Sequence, residues 1–224
     1  TGDILTLTTQ NGISGTYDSS TGVLTITGQA SKENYQTALR SISYHSTSED
    51  PTITAGSRTV SWTVTDANSD GAGAGTSSDI SSTINITPIN DAPVMTAGAT
   101  LAYTENETAT VIDNTITITD DDDTHIVGGT VTISSGYLTG DVLTLTGQGD
   151  INGGVSNSSG ILTISGTATL SNYRTALRSI TFNSTSEDPT ITASNRTLTW
   201  VVTDANSGGF GAATSSGVTS TINI

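Results

Sequence analysis

A single register of self-similarity governs this chain. The word Thr-Gly-Asp-Ile-Leu-Thr-Leu-Thr at 1–8 reappears as Thr-Gly-Asp-Val-Leu-Thr-Leu-Thr at 139–146, 138 residues on. The same offset, without a gap, carries Tyr-Gln-Thr-Ala-Leu-Arg-Ser-Ile at 35–42 onto 173–180, and Ser-Thr-Ser-Glu-Asp-Pro-Thr-Ile-Thr-Ala at 46–55 onto 184–193. Roughly two thirds of positions 1–86 are identical to their counterparts at 139–224. Long ordered words in one register mark a repeated structural unit, not compositional bias. The two stretches must share one fold, and whatever they do must be compatible with being done twice.

Residues 87–138 have no second copy, so the boundary of the unit must be argued. The segment Thr-Pro-Ile-Asn-Asp-Ala-Pro at 87–93 holds two prolines, which break strand pairing and mark a linker. The expected organisation is the later part of one unit at 1–86, a linker at 87–93 and a complete unit at 94–224. The first stretch is then short of the opening strands that residues 92–137 supply to the second. No basic-then-apolar leader opens the chain, as expected of a piece of something longer.

Thr and Ser alternate with Val, Ile and Leu in short runs at 4–8, 23–27, 59–65, 115–119, 130–134 and 218–224. Period-two alternation with β-branched residues predicts half-buried antiparallel strands. One segment per unit departs from it. At 31–40, and again at 169–178, Tyr35, Ala38, Leu39 and Ile42 fall at helical spacing behind Ser31 as N-cap, which predicts one short helix. Many short strands, frequent turn residues and no crossover helices predict an all-β Greek-key sandwich. Trp62 and Trp200 occupy the same register and are expected as core anchors; exposure of either ring would instead suit a sugar-stacking platform.

Charge narrows the partners. Asp and Glu outnumber Lys and Arg by 21 to 6, for a net charge of −15, so nucleic acid and anionic membrane surfaces are repelled and cations attracted. There is no cysteine, hence no disulfide and no thiolate metal site. No apolar run approaches the roughly 20 residues of a membrane span.

Catalysis is poorly supported. The histidines are His45 and His125, and His45 is replaced by Asn183 in the other copy, so a Ser/His/Asp machine would not survive repetition. Lys32 becomes Leu170, which argues against a Lys–Asn crosslink as a feature of the unit. Metal binding is better supported, because calcium needs six to eight hard oxygen ligands and the acidic residues are clustered. Asp120, Asp121, Asp122 and Asp123 are consecutive; Asn90 and Asp91 sit in the linker; Glu105 and Glu107 follow an early strand; Glu49 and Asp50 recur as Glu187 and Asp188. Asp66 opens an Asp-x-Asn-x-Asp-Gly loop, but Ser77 stands where a calcium loop carries its twelfth-position Glu, and Asp70 becomes Gly208. Four adjacent carboxylates repel one another in a folded turn unless a cation sits among them.

These words also resemble a known family. Ile-Asn-Asp-Ala-Pro at 89–93 resembles the inter-domain linker of cadherins, and 119–123 resembles the acidic strand-end motif of the following domain. Glu105-Asn106 resembles the acidic start of a cadherin domain, and Thr-Asp-Ala at 65–67 and 203–205 its late Ala-x-Asp-type motif. The whole unit is similar to the cadherin-like tandem repeats of very large bacterial surface proteins, including RTX-type adhesins. Pro88 stands where animal cadherins place an acidic residue, and this unit is longer than their domains. The resemblance implies a calcium site drawing on Glu49 or Asp50, Asn90, Asp91, Asp120, Asp122 and Asp204, with Glu105, Glu107, Glu187 and Asp188 at the far end of the second unit. It implies a non-catalytic, calcium-dependent structural or adhesive repeat, secreted and displayed at the cell surface. Its partners would be neighbouring repeats, other copies of itself or cell-surface glycans. A self-assembling filament subunit completed by strand exchange and a carbohydrate-binding module are the alternatives.

Overall fold

The alternating Thr/Val/Ile runs become short antiparallel strands, because each places one face in a core and the other in water. A computed structural model of the protein describes residues 2–68, 70–206 and 209–224. Thr1 of the first repeat word, and Ser69, Ser207 and Gly208 of the Asp66-type loops, lie outside the described residues. The chain divides into two compact units, Thr1–Pro88 and Ile89–Ile224.

In the first unit β1 (Asp3–Thr6) pairs antiparallel with β4 (Ser43–Ser46), β2 (Ser14–Asp18) with β3 (Val23–Thr27), and β5 (Ser57–Trp62) with β6 (Ile80–Asn85). Between β3 and β4 runs α1 (Lys32–Arg40), whose N-cap Ser31 accepts a hydrogen bond from the Asn34 amide at 3.2 Å. Among the described residues Leu7, Ile13 and Ala38 form its buried apolar cluster, with Leu24, Ile26, Tyr35 and Ile42 half-buried around them.

The second unit is closed. Its strands are β7 (Val94–Thr96), β8 (Thr100–Ala102), β9 (Thr110–Val111), β10 (Thr117–Thr119), β11 (His125–Ser135), β12 (Asp141–Leu145), β13 (Gly154–Val155), β14 (Ile161–Thr169), β15 (Thr181–Ser184), β16 (Asn195–Asp204) and β17 (Val218–Asn223), with α2 (Leu170–Arg178) between β14 and β15. One sheet runs β14-β11-β16-β17-β8, with β8 parallel to β17; the other runs β13-β12-β15-β9, and β7 pairs with β10. The chain passes between the two sheets from β11 to β12, β13 to β14 and β15 to β16, which makes an all-β Greek-key, cadherin- and immunoglobulin-like sandwich with one short helix. The expected helix is found in both units; α2 is capped by Thr169 in place of Ser.

Period-two geometry dictates which residues meet inside. Along β16 the inward positions are Arg196, Leu198, Trp200, Val202 and Asp204, all fully buried. Asp141, Leu143 and Leu145 face inward from β12. Arg196 thus meets Asp141 within the core: its Nε donates to Asp141 Oδ2, and its other nitrogens donate to the carbonyls of Pro189 (2.7 Å) and Ala193 (2.8 Å). A buried ion pair is tolerable only when its remaining donors and acceptors are satisfied in this way.

A second polar network lies at the other side of the core. Asp113, 1% exposed, accepts from the amides of Gly98 and Ala99 (3.0 Å each), from the Thr115 amide and hydroxyl (2.8 and 2.6 Å) and from the Ser220 hydroxyl (2.6 Å). Ser220 in turn accepts from Trp200 Nε1 at 3.1 Å. Burial pushes the Asp113 carboxyl up, but the hydrogen bonds from Ser220, Thr115, Gly98 and Ala99 outweigh it and hold the group well below the ordinary carboxylate range.

Trp200 is the core anchor that its pattern predicts. Trp62 is not: it is half-buried, though its Nε1 donates to Ser82 Oγ at 3.1 Å as Trp200 does to Ser220. In the second unit β11 lies beside Trp200 and covers it, and among the described residues of the first unit no strand takes that place.

Two outcomes follow for stability. Removing Arg196 leaves a buried Asp141 carboxylate uncompensated, so Arg196→Ala should cost about 3–5 kcal/mol in urea unfolding of the second unit. The equivalent Arg58–Asp3 pair is about a quarter exposed, and Arg58→Ala should cost clearly less. Asp113 has a folded pKa below its unfolded value of about 3.9, so its contribution is complete above that value and is lost as pH falls through the folded one. Asp113→Asn should therefore lower stability at neutral pH by about 3 kcal/mol and make the dependence of stability on pH below about 4 shallower; an acid limb as steep as the parent's would refute the assignment.

Candidate cation-binding site

The acidic residues singled out by the sequence fall into separate groups. At the end of β10 the chain turns through Asp120, Asp121, Asp122 and Asp123 before entering β11. Asp120 Oδ1 accepts from the amides of Asp122 (3.2 Å) and Asp123 (2.8 Å), closing the turn on itself. Asp122 Oδ2 accepts from the Asp91 amide at 3.0 Å, which ties the segment before β7 to this turn. Asp204, fully buried at the end of β16, accepts from the Asn90 side chain at 2.9 Å and from the amides of Asn206 (3.1 Å) and Ala213 (3.0 Å). Asn90, Asp91, Asp120, Asp122, Asp123 and Asp204 thus come together at one end of the second unit, and Asp121 is left exposed at the tip of the turn.

Two oxygens here are not served by the protein. Asp120 Oδ2 and Asp122 Oδ1 are buried from solvent with no hydrogen-bond partner. Burial pushes the Asp120 carboxyl up to about 6; the Asp123 amide opposes the shift and the Asp122 carboxylate beside it reinforces it. Buried anionic oxygens without donors cost several kcal/mol each unless a proton or a cation completes them. Hard carboxylate and amide oxygens are also the donor set that calcium takes. Among the described residues no three or more carboxylate or imidazole groups stand in ready-made metal-ligating geometry, since much of the turn is hydrogen-bonded to its own amides.

The remaining predicted residues are elsewhere. Glu105 and Glu107 are exposed; Glu107 Oε2 caps its own turn through the Thr104 amide at 2.9 Å. Glu187 and Asp188 are exposed, and Asp188 accepts from Thr190 Oγ1 at 3.2 Å. The Tyr103 hydroxyl donates to the Glu107 carbonyl and accepts from the Ser184 amide, which brings the 104–107 and 185–188 turns to the end of the unit opposite Asp204. In the first unit Glu49 is exposed and Asp50 closes its own turn on Thr52, at 3.1 Å from the amide. Asp66 Oδ1 accepts from the amides of Asn68 (3.1 Å) and Gly75 (3.0 Å), and Asn68 Oδ1 from Gly73 (2.6 Å), so this loop holds its shape with its own amides. The Gly75 amide, followed by that of Asn68, lowers the pKa of Asp66. Sequence reasoning missed Asp113, for which the Asp-x-Thr spacing of a self-capping turn was the available signal.

The histidines and tryptophans bear on the alternatives. His45 is exposed on β4, and His125 Nδ1 lies 2.8 Å from the Thr124 hydroxyl. Trp200 is fully buried and offers no face to a sugar. No helix among the described residues is long and apolar enough to cross a membrane.

No family model matches the chain. Over 106 residues, 45% of this chain, it is 31% identical to halomucin from Haloquadratum walsbyi, of which it spans 1%. Among solved structures it is similar to the extracellular domain of protocadherin gammaB4, at 13% identity and a TM-score of 0.33, covering 99% of this chain and 27% of that one. It is similar also to protocadherin gamma C5 EC1-3, at 11% identity and a TM-score of 0.32, covering 99% of this chain and 55% of that one.

Proposed function

We propose that the chain is a calcium-dependent, non-catalytic structural repeat of a long secreted or surface-displayed polypeptide, with neighbouring repeats of the same protein as its principal partners. The observation that carries this reading is the pair of buried, donor-less oxygens on Asp120 and Asp122. The Asn90 side chain donates to Asp204 and the Asp91 amide to Asp122, so the segments that carry these further hard-oxygen groups are tied to the same end of the unit, and a carboxylate that already accepts amides still has lone pairs for a cation. Bound there, calcium would neutralise the clustered charge and draw the segment carrying Asn90 and Asp91 onto the Asp120 turn, shortening whatever length of linker remains free to bend. Its contribution is to shape, not to reaction chemistry. The internal repetition supports the reading, as does the likeness to a small part of halomucin, a protein so long that this chain spans 1% of it. Glu105, Glu107, Glu187 and Asp188 would form a comparable half-site at the other end of the second unit.

Calcium at 100 times its dissociation constant should stabilise the second unit by about 2.7 kcal/mol, read as a rise in melting temperature that chelator reverses and that added NaCl of equal ionic strength does not reproduce. Asp122→Asn removes one of two repelling carboxylates. It should raise stability in chelator while abolishing the calcium increment. A melting temperature indifferent to chelator, or an undiminished increment in the variant, would overturn the proposal.

A further inference from the structure

We infer that Asn157 is an N-glycosylation acceptor, taking an oligosaccharide from a lipid-linked pyrophosphate donor. The inference rests on the secreted or surface-displayed setting proposed above and is independent of calcium. Triplets of the form Asn-x-Ser/Thr open at Asn85, Asn106, Asn157, Asn183 and Asn195. In an exported chain such a triplet is the acceptor for oligosaccharide transfer. The fold sorts the five. Asn85 pairs with Ser57, Asn183 with Val142 and Asn195 with Asn223, so three triplets begin inside strand ladders. Ser184 and Arg196, the middle residues of two of them, are buried. At Asn106 the middle residue is Glu107, whose carbonyl accepts from the hydroxyl of the buried Tyr103 at 2.9 Å. Glu105 and Glu107 also flank Asn106, and their charges repel a pyrophosphate donor.

Asn157 differs from the other four on each count. Asn157, Ser158 and Ser159 are all exposed, lie outside the strands and have uncharged neighbours. Asn157 Oδ1 accepts from the amides of Ser159 (2.9 Å) and Ile161 (3.2 Å), which folds the hydroxyl-bearing residue back toward the carboxamide. With the oxygen tied to the turn, Nδ2 is the end left for reaction, and among the described residues nothing hydrogen-bonds to it. Gly160 fixes the turn: its φ is +72°, and a Cβ there would stand 2.7 Å from Tyr137 Cδ2. The acceptor conformation is therefore built into the fold. In the transfer, Asn157 Nδ2 bonds to the anomeric carbon of the first sugar as the bond from that carbon to the pyrophosphate oxygen breaks. The lipid pyrophosphate leaves with the electron pair, and the amide nitrogen gives up one proton to the transferase's base.

The position suits a bulky polar group. The turn joins β13 to β14, the outermost strands of the two sheets on that side of the second unit. Val155 on β13 is 64% exposed. A glycan on Asn157 would stand over both edges and close them to pairing with a strand of another chain. Ser19 is the counterpart of Asn157 in the first unit, so the modification would mark the second copy and not the first.

The test incubates the folded 224-residue chain with a lipid-pyrophosphate oligosaccharide and a single-subunit oligosaccharyltransferase chosen because it glycosylates a synthetic peptide of residues 152–164. Site occupancy is read by mass spectrometry of proteolytic fragments. Asn157 should be modified, with occupancy at each of the other four asparagines lower by about tenfold or more, since a triplet held by the fold reacts through local opening. Ser159→Ala keeps the backbone amide that closes the turn but removes the hydroxyl, and should lose the transfer while melting at the parent temperature. An unmodified Asn157 in the folded chain, comparable occupancy at any other triplet, or undiminished transfer to Ser159→Ala would overturn the inference. The calcium increment in melting temperature is read separately, so failure of one proposal leaves the other standing.

Discussion

The core of this repeat hangs on one central strand. β11 supplies the backbone that joins β14 to β16, and its inward side chains complete the floor on which Trp200, Leu198 and Leu162 rest. The chain contains its own comparison, since nearly the same residues recur without such a strand. Full burial of a large apolar side chain is worth about 1.5–3 kcal/mol over exposure, and six such positions are fully buried in the second unit and half-buried in the first. Sequence identity of roughly two thirds therefore does not secure equal packing. Among the described residues the first unit shows three strand pairs around a core of Leu7, Ile13 and Ala38, where the second shows a five-stranded and a four-stranded sheet.

The polar interior follows from the same topology. Arg196 and Asp141 are inward positions of strands in opposite sheets, so the period that buries Leu198 and Leu143 also buries the ion pair. The pair survives because the 189–193 loop turns its carbonyls toward the guanidinium. Asp113 does comparable work near the parallel β8–β17 edge, where it serves the amides of Gly98 and Ala99 and the hydroxyl that orients Trp200. Arg58 and Asp3 repeat the first device in the first unit, but there solvent reaches them. Asp113 has no counterpart, because it lies in 87–138, the stretch without a second copy.

What the sequence makes legible here is what local periodicity and register encode. Alternation identifies the strands, a Ser or Thr before Tyr-x-x-Ala-Leu identifies each helix, and the 138-residue offset identifies the unit. Trp62 shows where such reasoning stops: its residue type and neighbours match those of Trp200, and what distinguishes Trp200 is β11, a strand distant in sequence that pairs beside it. Asp113 was only partly legible for a related reason: its Asp-x-Thr turn is local, but its partners at 98, 99 and 220 are brought to it by the fold. The acidic clusters look alike in sequence, yet the structure sorts them. Glu107, Asp50 and Asp66 are satisfied by amides of their own turns, whereas Asp120 and Asp122 retain buried oxygens without donors.

That sorting has a physical cause in how each turn is placed. A carboxylate on an exposed turn can cap local amides with one oxygen and give the other to water, so it asks for nothing more. The Asp120 turn is pressed between the Asn90–Asp91 segment and the start of β11, and Asp123 is 2% exposed. Water is largely excluded, two carboxylates stand side by side, and the local amides are already spent on Asp120 Oδ1 and Asp122 Oδ2. The arrangement is costly as an anion cluster, because each unserved oxygen is desolvated and each charge raises the energy of the next. Such a cost persists in a folded protein only where something recovers it. At this position a proton can recover it, and on the proposed reading a small cation does, tying together the turn that opens β11 and the segment that leads into the unit.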